Sequence, residues 1–408
     1  MSDPRPDFAL IEEKWLREGP SAALEALSRT FERERRLPQL FEALLMKSRL
    51  ALGLPLVPLG PAADLPEEVL RPHEEAIAAA CRKVGRLFLE DGDLVAAWPY
   101  FRALGEPEAV AEAIGRIEPG LQRKDLDGII DIAFYQGVHP RRGLEVIIGQ
   151  SGICSAITAM ERSLPATRLR QEECAKVLVR ALHRELYHSI AQDIARRTPA
   201  DAAQGARQRE TPPQGRLRDL IAGRPWLFEH GAYHVDPSHL SAVVRLSGFM
   251  AVGSELELAL EMAEYGQRLD AMYQTRCDPP FESLYADHAL FLRGRISPRG
   301  EEGARAAVHF AQKARDALAQ RVEHYPLGAV VEILVKLARP GEAVALAQEL
   351  DPEGRSVPIP TIGELCQGAG EFRMLADVAR KRGDLLYFAA ALVQSGSGPI
   401  GPPAGGGG

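Results

Sequence analysis

Residues 81–104 read CRKVGRLFLEDGDLVAAWPYFRAL, and this stretch decides the fold. Its apolar and small residues recur at steps of three and four before and after a central Gly92-Asp93, which is the spacing of two helices. Gly92 is suited to ending the first helix and Asp93 to capping the second. The small side chains of Gly85 and Ala97 would let the two backbones approach closely. The stretch therefore predicts two antiparallel helices joined by a tight turn.

Helical periodicity extends over most of the remaining chain, whereas strict alternation of apolar and polar residues is hard to find. The short apolar run 144–148 is compatible with a strand, but its neighbours favour a helix. Asp236-Pro237 is typical of an N-cap followed by proline in the first turn. The sequence predicts an all-α protein, with apolar stripes over Phe8–Leu16, Leu37–Leu52, Glu67–Glu90, Leu126–Tyr135, Cys174–Ile194, His239–Met250, Leu256–Leu269 and Ala304–Leu318.

The helix–turn–helix spacing recurs twice more, with turns at Arg339–Gly341 and at Gly383-Asp384. Over about a quarter of the chain, these units resemble the tetratricopeptide-like α-solenoids. The match departs from the family pattern because no unit has the large aromatic residue expected early in its first helix. Pro99 also interrupts one second helix, and Phe388 occupies a position where a small residue is expected. The resemblance implies an irregular α-solenoid of antiparallel helix pairs.

Solenoids of this kind present a concave groove to a peptide or a partner protein and rarely catalyse reactions. The resemblance therefore implies a protein-interaction scaffold or adaptor that binds a peptide or partner protein in a helical groove. The same helix spacing also occurs in ordinary helical bundles, so the sequence alone leaves a bundle open.

Two stretches lack an apolar stripe. Residues 196–216 are polar and contain three prolines, which predicts a long loop or linker. The tail 395–408 consists mainly of glycine, proline and serine, and it has too little apolar surface to fold. The predicted organisation is an N-terminal helical lobe over 1–195, the linker 196–216, a C-terminal tetratricopeptide-like lobe over 217–394, and the tail.

The composition excludes several classes of protein. The 408 residues carry a net charge of −7, which argues against a general nucleic-acid-binding protein. The five cysteines are widely spaced, which favours reduced thiols over a disulfide framework or a zinc site. The sequence shows no run of 18 uncharged apolar residues and no signal peptide at its start, so we expect a cytoplasmic protein that does not span a membrane.

A candidate partner contact lies in residues 134–142, where aromatic, imidazole and guanidinium groups surround a predicted turn. Tyrosine and arginine are enriched among the residues that dominate interface energies. The predicted partner-binding residues are Tyr135, His139, Arg141 and Arg142. A solvated turn with Tyr135 packed inward is the alternative explanation.

An alternative function is a helical metal- or thiol-dependent enzyme centred on the histidine-rich middle of the chain. His183 and His188 lie five residues apart and would point about 140° apart on a helix. Glu185 and His188 share a face, so the alternative metal ligands are Glu185, His188, His230 and His234. A lone Glu-x-x-His is a weak motif, and no Walker loop or GxSxG motif occurs. We therefore predict no cofactor and prefer the scaffold; the sequence does not determine the oligomeric state.

The thiol form of this alternative would involve Cys154, which follows a run of small residues at a predicted break between helices. A reactive thiol is physically reasonable at a helix start, although close helix packing explains the small residues equally well. Cys81 and Cys174 lie on apolar stripes and are expected to be buried and unreactive.

Overall fold

The computed structural model describes residues 5–56, 66–118, 120, 123–197, 215–274 and 276–396. Within these ranges the protein is all-α, as predicted, and the β-structure is limited to an isolated antiparallel bridge between Arg276 and Ser283. The chain forms two compact units, residues 1–170 and 171–408. Residues 397–408, which make up most of the predicted tail, lie outside the described ranges.

The first unit contains a series of helices. Each early helix packs on the next in chain order, from α1 on α2 to α5 on α6. These helices are α1 (Arg5–Glu18), α2 (Pro20–Arg33), α3 (Leu37–Ala51), α4 (Glu67–Glu90), α5 (Leu94–Leu104), α6 (Glu108–Gly115), α7 (Leu126–Ile130), which continues as a π-helical turn (Asp131–Tyr135), and α8 (Pro140–Arg162).

The second unit begins near the start of α9 (Arg168–Arg197). It continues through α10 (Leu217–Ile221), α11 (Pro237–Leu246), α12 (Ser254–Gln267), α13 (Leu284–Ile296), α14 (Glu301–Ala319), α15 (Leu327–Lys336), α16 (Pro340–Leu350), α17 (Ile359–Ala369), α18 (Phe372–Arg382) and α19 (Leu385–Gly396). From α12 onward each helix again packs on the next. Short 3₁₀ turns occupy Pro225–Gly231, Ser247–Phe249 and Ala271–Tyr273.

The division between the units differs in position from the predicted linker at 196–216. Helix α9 belongs to the second unit because its side chains bond to α12: Arg180 donates to Glu255, and His183 lies 2.9 Å from Glu261. The helix continues to Arg197, so the polar stretch starts later than expected. Residues 198–214, the bulk of the predicted linker, lie outside the described ranges.

The predicted turn at Gly92-Asp93 is present, and its local chemistry explains it. Gly92 has φ +76°, a left-handed conformation that favours glycine. The Asp93 carboxylate accepts a hydrogen bond from the Ala96 amide at 2.9 Å and caps α5. Pro99 lies inside α5, which runs through it to Leu104 without ending. The helix pair α4–α5 is thus formed as the sequence indicates.

The close contact between α4 and α5 differs in detail from the prediction. A Cβ atom on Gly85 would lie 2.8 Å from Cε2 of Phe101, one turn beyond the expected partner Ala97. Ala97 is fully buried, but the residue nearest to Gly85 is the aromatic one. The same arrangement occurs in the second unit, where Gly266 of α12 faces the ring of Tyr285 on α13.

The other predicted hairpins also appear, with one shift. Gly383 has φ +70°, and the Asp384 carboxylate accepts from the Tyr387 amide at 3.0 Å. The other predicted turn, Arg339–Gly341, falls earlier because Pro340 starts α16, and proline is favoured at the first helical position.

Helix α8 is the most apolar long helix of the described part of the chain. By length and composition it could cross a bilayer, but 44% of its most apolar window is buried inside the protein. It includes residues 144–148, so that run is helical and not a strand. At Gly152 the backbone leaves the helical conformation, with φ +79° and ψ 174°.

Candidate functional site

The turn between α7 and α8 carries the four residues predicted to contact a partner. His139 is the N-cap of α8, and its Nδ1 atom accepts from the Arg142 amide at 3.3 Å. The Arg142 guanidinium donates to the Gly115 carbonyl at 2.8 and 3.2 Å and to Glu145 at 2.6 Å. Arg142 therefore holds α8 against the end of α6, while His139 caps α8.

The other two predicted residues face solvent. Tyr135 is 53% exposed, and its ring meets the edge of Phe134 at a centroid distance of 5.3 Å. Arg141 is exposed and donates from Nε to Glu145 at 3.2 Å, a surface ion pair that a partner could replace. Of the four residues, Tyr135 and Arg141 are the ones available to a partner.

Two of the predicted metal ligands lie on α9. Glu185 is exposed, whereas His188 is half-buried and donates from Nδ1 to the Arg184 carbonyl at 2.7 Å. His183 faces the interior instead, 2.9 Å from Glu261. Glu261 also accepts from the Leu217 amide at 3.0 Å. Burial alone would raise the pKa of the Glu261 carboxyl, but these hydrogen bonds outweigh burial, so its pKa is lowered.

His234, another predicted ligand, lies in a closed network with Tyr265. The Tyr265 hydroxyl accepts from the His234 amide at 3.0 Å and lies 3.0 Å from Nδ1 of the same residue. The Nε2 atom is 3.5 Å from Asp193. Burial lowers the pKa of His234, partly opposed by Asp193, and burial also raises the pKa of Tyr265. The network thus joins α9, the 232–235 loop and α12 around the buried His234 ring.

The fourth predicted ligand, His230, is exposed, with φ +55° in the 3₁₀ turn. No three of Glu185, His188, His230 and His234 come together as a group that could hold a metal ion. The same is true of the histidine, cysteine, aspartate and glutamate side chains across the described ranges. Each buried histidine of this region is hydrogen-bonded within the protein.

Of the three cysteines considered from the sequence, two are buried and one is exposed. Cys81 and Cys174 are buried, as predicted, and burial raises the pKa of the Cys81 thiol. Cys154 is exposed and follows the break at Gly152.

A polar cluster around Asp287 was not identified from the sequence. The Asp287 carboxylate, almost fully buried, accepts from Lys313 at 2.7 Å, from His309 at 2.8 Å and from the Ser283 amide at 2.9 Å. Lys313 also donates to Glu282 at 2.5 Å and to the Pro280 carbonyl at 2.9 Å. All three ammonium protons therefore have acceptors, and the cluster fixes the 280–283 loop to α14.

A groove between α1 and α2 was also missed, although the sequence predicted the α1 helix. The groove is shallow and open to solvent, with a volume of about 380 Å³, and is lined by Phe8, Ile11, Glu12, Trp15 and Ala23. Phe8 is 73% exposed and Trp15 56% exposed. The spacing of the apolar residues in α1 is typical of a helix face that packs into a core, but in the structure this face is largely exposed to solvent.

A second depression, of about 410 Å³, runs along α4 and is lined by basic side chains. Arg82 is paired with Glu106 at 2.6 Å, and Lys83 is paired with Glu32 at 2.7 Å. Because carboxylates already neutralise two of the three cations that line it, this depression is a weaker candidate for binding than the α1–α2 groove.

Comparisons of the chain with protein-family models, with curated proteins and with solved structures gave no match.

Proposed function

We propose that the protein is a non-catalytic interaction scaffold, an irregular α-solenoid whose α1–α2 groove binds an apolar helix or peptide of a partner protein. The chain-order packing of the helices supports the solenoid part of the proposal. In a solenoid each helix pair is covered by its neighbours, while the terminal pairs need a polar outer face to remain soluble.

The exposed apolar face of α1 is the observation that carries the proposal. Phe8, Ile11 and Trp15 have the spacing i, i+3 and i+7, which places them along one side of the helix. Helix-in-groove recognition uses anchors at this spacing. Large apolar side chains exposed next to one another mark interaction sites in soluble proteins, and tryptophan is enriched among the residues that dominate binding energy.

The predicted contact at Tyr135 and Arg141 remains a second proposed contact on the first unit. Both side chains are exposed, while His139 and Arg142 support the backbone beneath them. We place it second because Arg141 is already paired with Glu145.

The alternative enzyme has less support. A metal- or thiol-dependent enzyme needs convergent ligands or a thiol beside a base. In the described middle of the chain, His183 and His234 bond to Glu261, Tyr265 and Asp193. Such pairs stabilise a folded core without requiring a ligand.

Site-specific photo-crosslinking in the native cell tests the scaffold. A photoreactive amino acid at position 15 should give discrete protein adducts, identified by mass spectrometry. The matched control is position 17 on the same helix, because Arg17 points about 160° away from Trp15. Replacing Phe8 with glutamate should abolish the adducts at position 15. Equal adducts at both positions, or none at position 15, would overturn the proposed groove.

A further inference from the structure

The last described helix, α19, also exposes an apolar face. Leu385 is 82% exposed, Leu386 76%, Val393 69% and Leu392 50%. On an ideal helix these four residues fall within an arc of about 120°, the width of a core-facing stripe. The helix contains no charged residue, and Ala391 on its opposite side is fully buried. The first and last described helices of the chain therefore share an unusual feature, an uncovered apolar face.

The charges beside the two faces have opposite signs. Glu12 lines the α1–α2 groove, while its neighbours Glu13 and Glu18 are paired with basic residues of α1. Arg380 and Lys381 are exposed at the end of α18, just before α19 begins, and the Arg380 guanidinium lies 4.9 Å from the ring centroid of Phe388. Within the described ranges neither Glu12 nor Lys381 takes part in an ion pair, so both are available to a partner.

We infer that the occupant of the α1–α2 groove is helix α19 of a second copy of this chain; this inference rests on the proposed function of that groove. The contact covers both apolar faces and brings Glu12 of one copy near Arg380 and Lys381 of the other. Complementary charges of this kind guide association and fix orientation. Two different surfaces meet in such a contact, so the assembly either closes as a ring or continues as a filament.

Symmetric pairing of α19 with α19 of another copy would leave the face of α1 uncovered. In a parallel pairing it would also bring the cationic ends of the two α18 helices together. Like charges opposed across an interface weaken it. A lipid surface would cover α19 but would leave the exposed face of α1 without its own occupant. In the proposed contact, by contrast, the α19 face of one copy covers the α1 face of another, so neither kind of face stays exposed to solvent.

The contact is expected to be reversible. The largest apolar patch of a typical monomer is about 300–600 Å², whereas a stable interface buries about 800 Å² on each partner. We therefore expect the associated fraction to rise with protein concentration.

Sedimentation velocity of the full chain over a hundredfold concentration range tests the inference. Two variants each remove one side of the contact: Trp15→Glu disables the groove, and Leu386→Glu disables the helix. Each variant alone should weaken association by more than about tenfold. Mixed in equal amounts, they should form a dimer and nothing larger, because each retains the side that the other lacks. Circular dichroism confirms that both variants are folded.

Val308→Glu is the matched control, since Val308 is a 66% exposed apolar residue on α14 that lies on neither face. It should associate like the parent protein. A second measurement exchanges the charges: Glu12→Lys should weaken association, and adding Lys381→Glu to the same chain should restore it.

Four results would overturn the inference. The first two are a parent protein that stays monomeric at every concentration and a Trp15→Glu variant that still associates. The third is a mixture of the two variants that does not form dimers. The fourth is a monomeric protein that binds anionic phospholipid vesicles through Leu386. Should the parent stay monomeric while position 15 crosslinks to a different protein, the self-association is wrong and the scaffold function stands. If the parent is monomeric and position 15 gives no adduct, both proposals are wrong.

Discussion

Replacing Gly266 with alanine tests whether helix pairs depend on glycine facing an aromatic ring. A Cβ atom at this position would lie 2.5 Å from Cε1 and 2.6 Å from Cγ of Tyr285, with Cδ1 closer still. Carbon atoms that pack without a bond prefer about 3.5–4.0 Å, so the ring or the helix must move. Tyr285 is only 1% exposed, which leaves the ring no open space into which it can shift.

Two terms of opposite sign determine the size of the effect. Alanine is favoured over glycine inside a helix by about 0.8–1.0 kcal/mol. Overpacking in a filled core costs about 1–3 kcal/mol. Three ring atoms clash at once, so we expect a cost near the top of that range. The net result for Gly266→Ala is a loss of about 1–2 kcal/mol in the free energy of unfolding.

Gly368→Ala provides the matched control, because Gly368 lies in α17 and its added Cβ would meet no atom within 4 Å. Only the propensity term applies there, so this variant should gain up to about 1 kcal/mol. Urea denaturation followed by circular dichroism gives both values. If Gly266→Ala proved as stable as Gly368→Ala, the close approach of α12 and α13 would not limit stability, and the packing argument would be wrong.

Three further results are expected. Burial lowers the pKa of His288 to about 4 from 6.5. Between pH 6.5 and pH 4 the unfolded chain therefore binds a proton at this residue that the folded chain does not bind. The free energy of unfolding should fall by up to about 3 kcal/mol as the pH drops over this range. Urea titrations of His288→Phe should show a smaller fall, and an unchanged fall would contradict this assignment. Lys313→Met should cost about 2–4 kcal/mol, because it leaves the buried Asp287 carboxylate without its cation; a urea midpoint equal to that of the parent would show that the cluster does not stabilise the loop. Ala97→Leu should cost about 1–3 kcal/mol by overpacking a fully buried position, and parental thermal melting would exclude tight packing there.

The helices could be predicted because their information is local. Apolar spacing, the caps at Asp93 and Asp236, and the left-handed Gly92 and Gly383 each act within a few residues of sequence. The all-α fold is therefore confirmed, although some helix ends shift by about two residues, as the start at Pro340 shows.

The exposed faces could not be predicted in the same way. Periodicity shows that a helix has an apolar side, but it does not show what covers that side. The stripe of Phe8 and Trp15 looks like any core-facing stripe, yet it is open to solvent. The exposure of Leu385 and Leu386 on α19 could not be read from the sequence for the same reason.

The polar clusters were beyond sequence reasoning because their members are far apart in the chain. Lys313 lies 26 residues from Asp287, and His183 lies 78 residues from Glu261. No local spacing relates such residues, so only the packing of the helices brings them together. Sequence reasoning singled out Arg142 as a possible contact, but it did not reveal the carbonyl of Gly115 that holds it.

The break in α8 has a practical consequence for spectroscopy. Cys154, just past Gly152, is exposed, whereas Cys81, Cys174 and Cys366 are buried and Cys277 is partly covered. Burial raises the pKa of the Cys81, Cys277 and Cys366 thiols, which leaves them with little reactive thiolate near neutral pH. A maleimide dye should therefore label the native chain mainly at one position without any engineered cysteine. Energy transfer between donor- and acceptor-labelled copies would then report their encounters directly in solution.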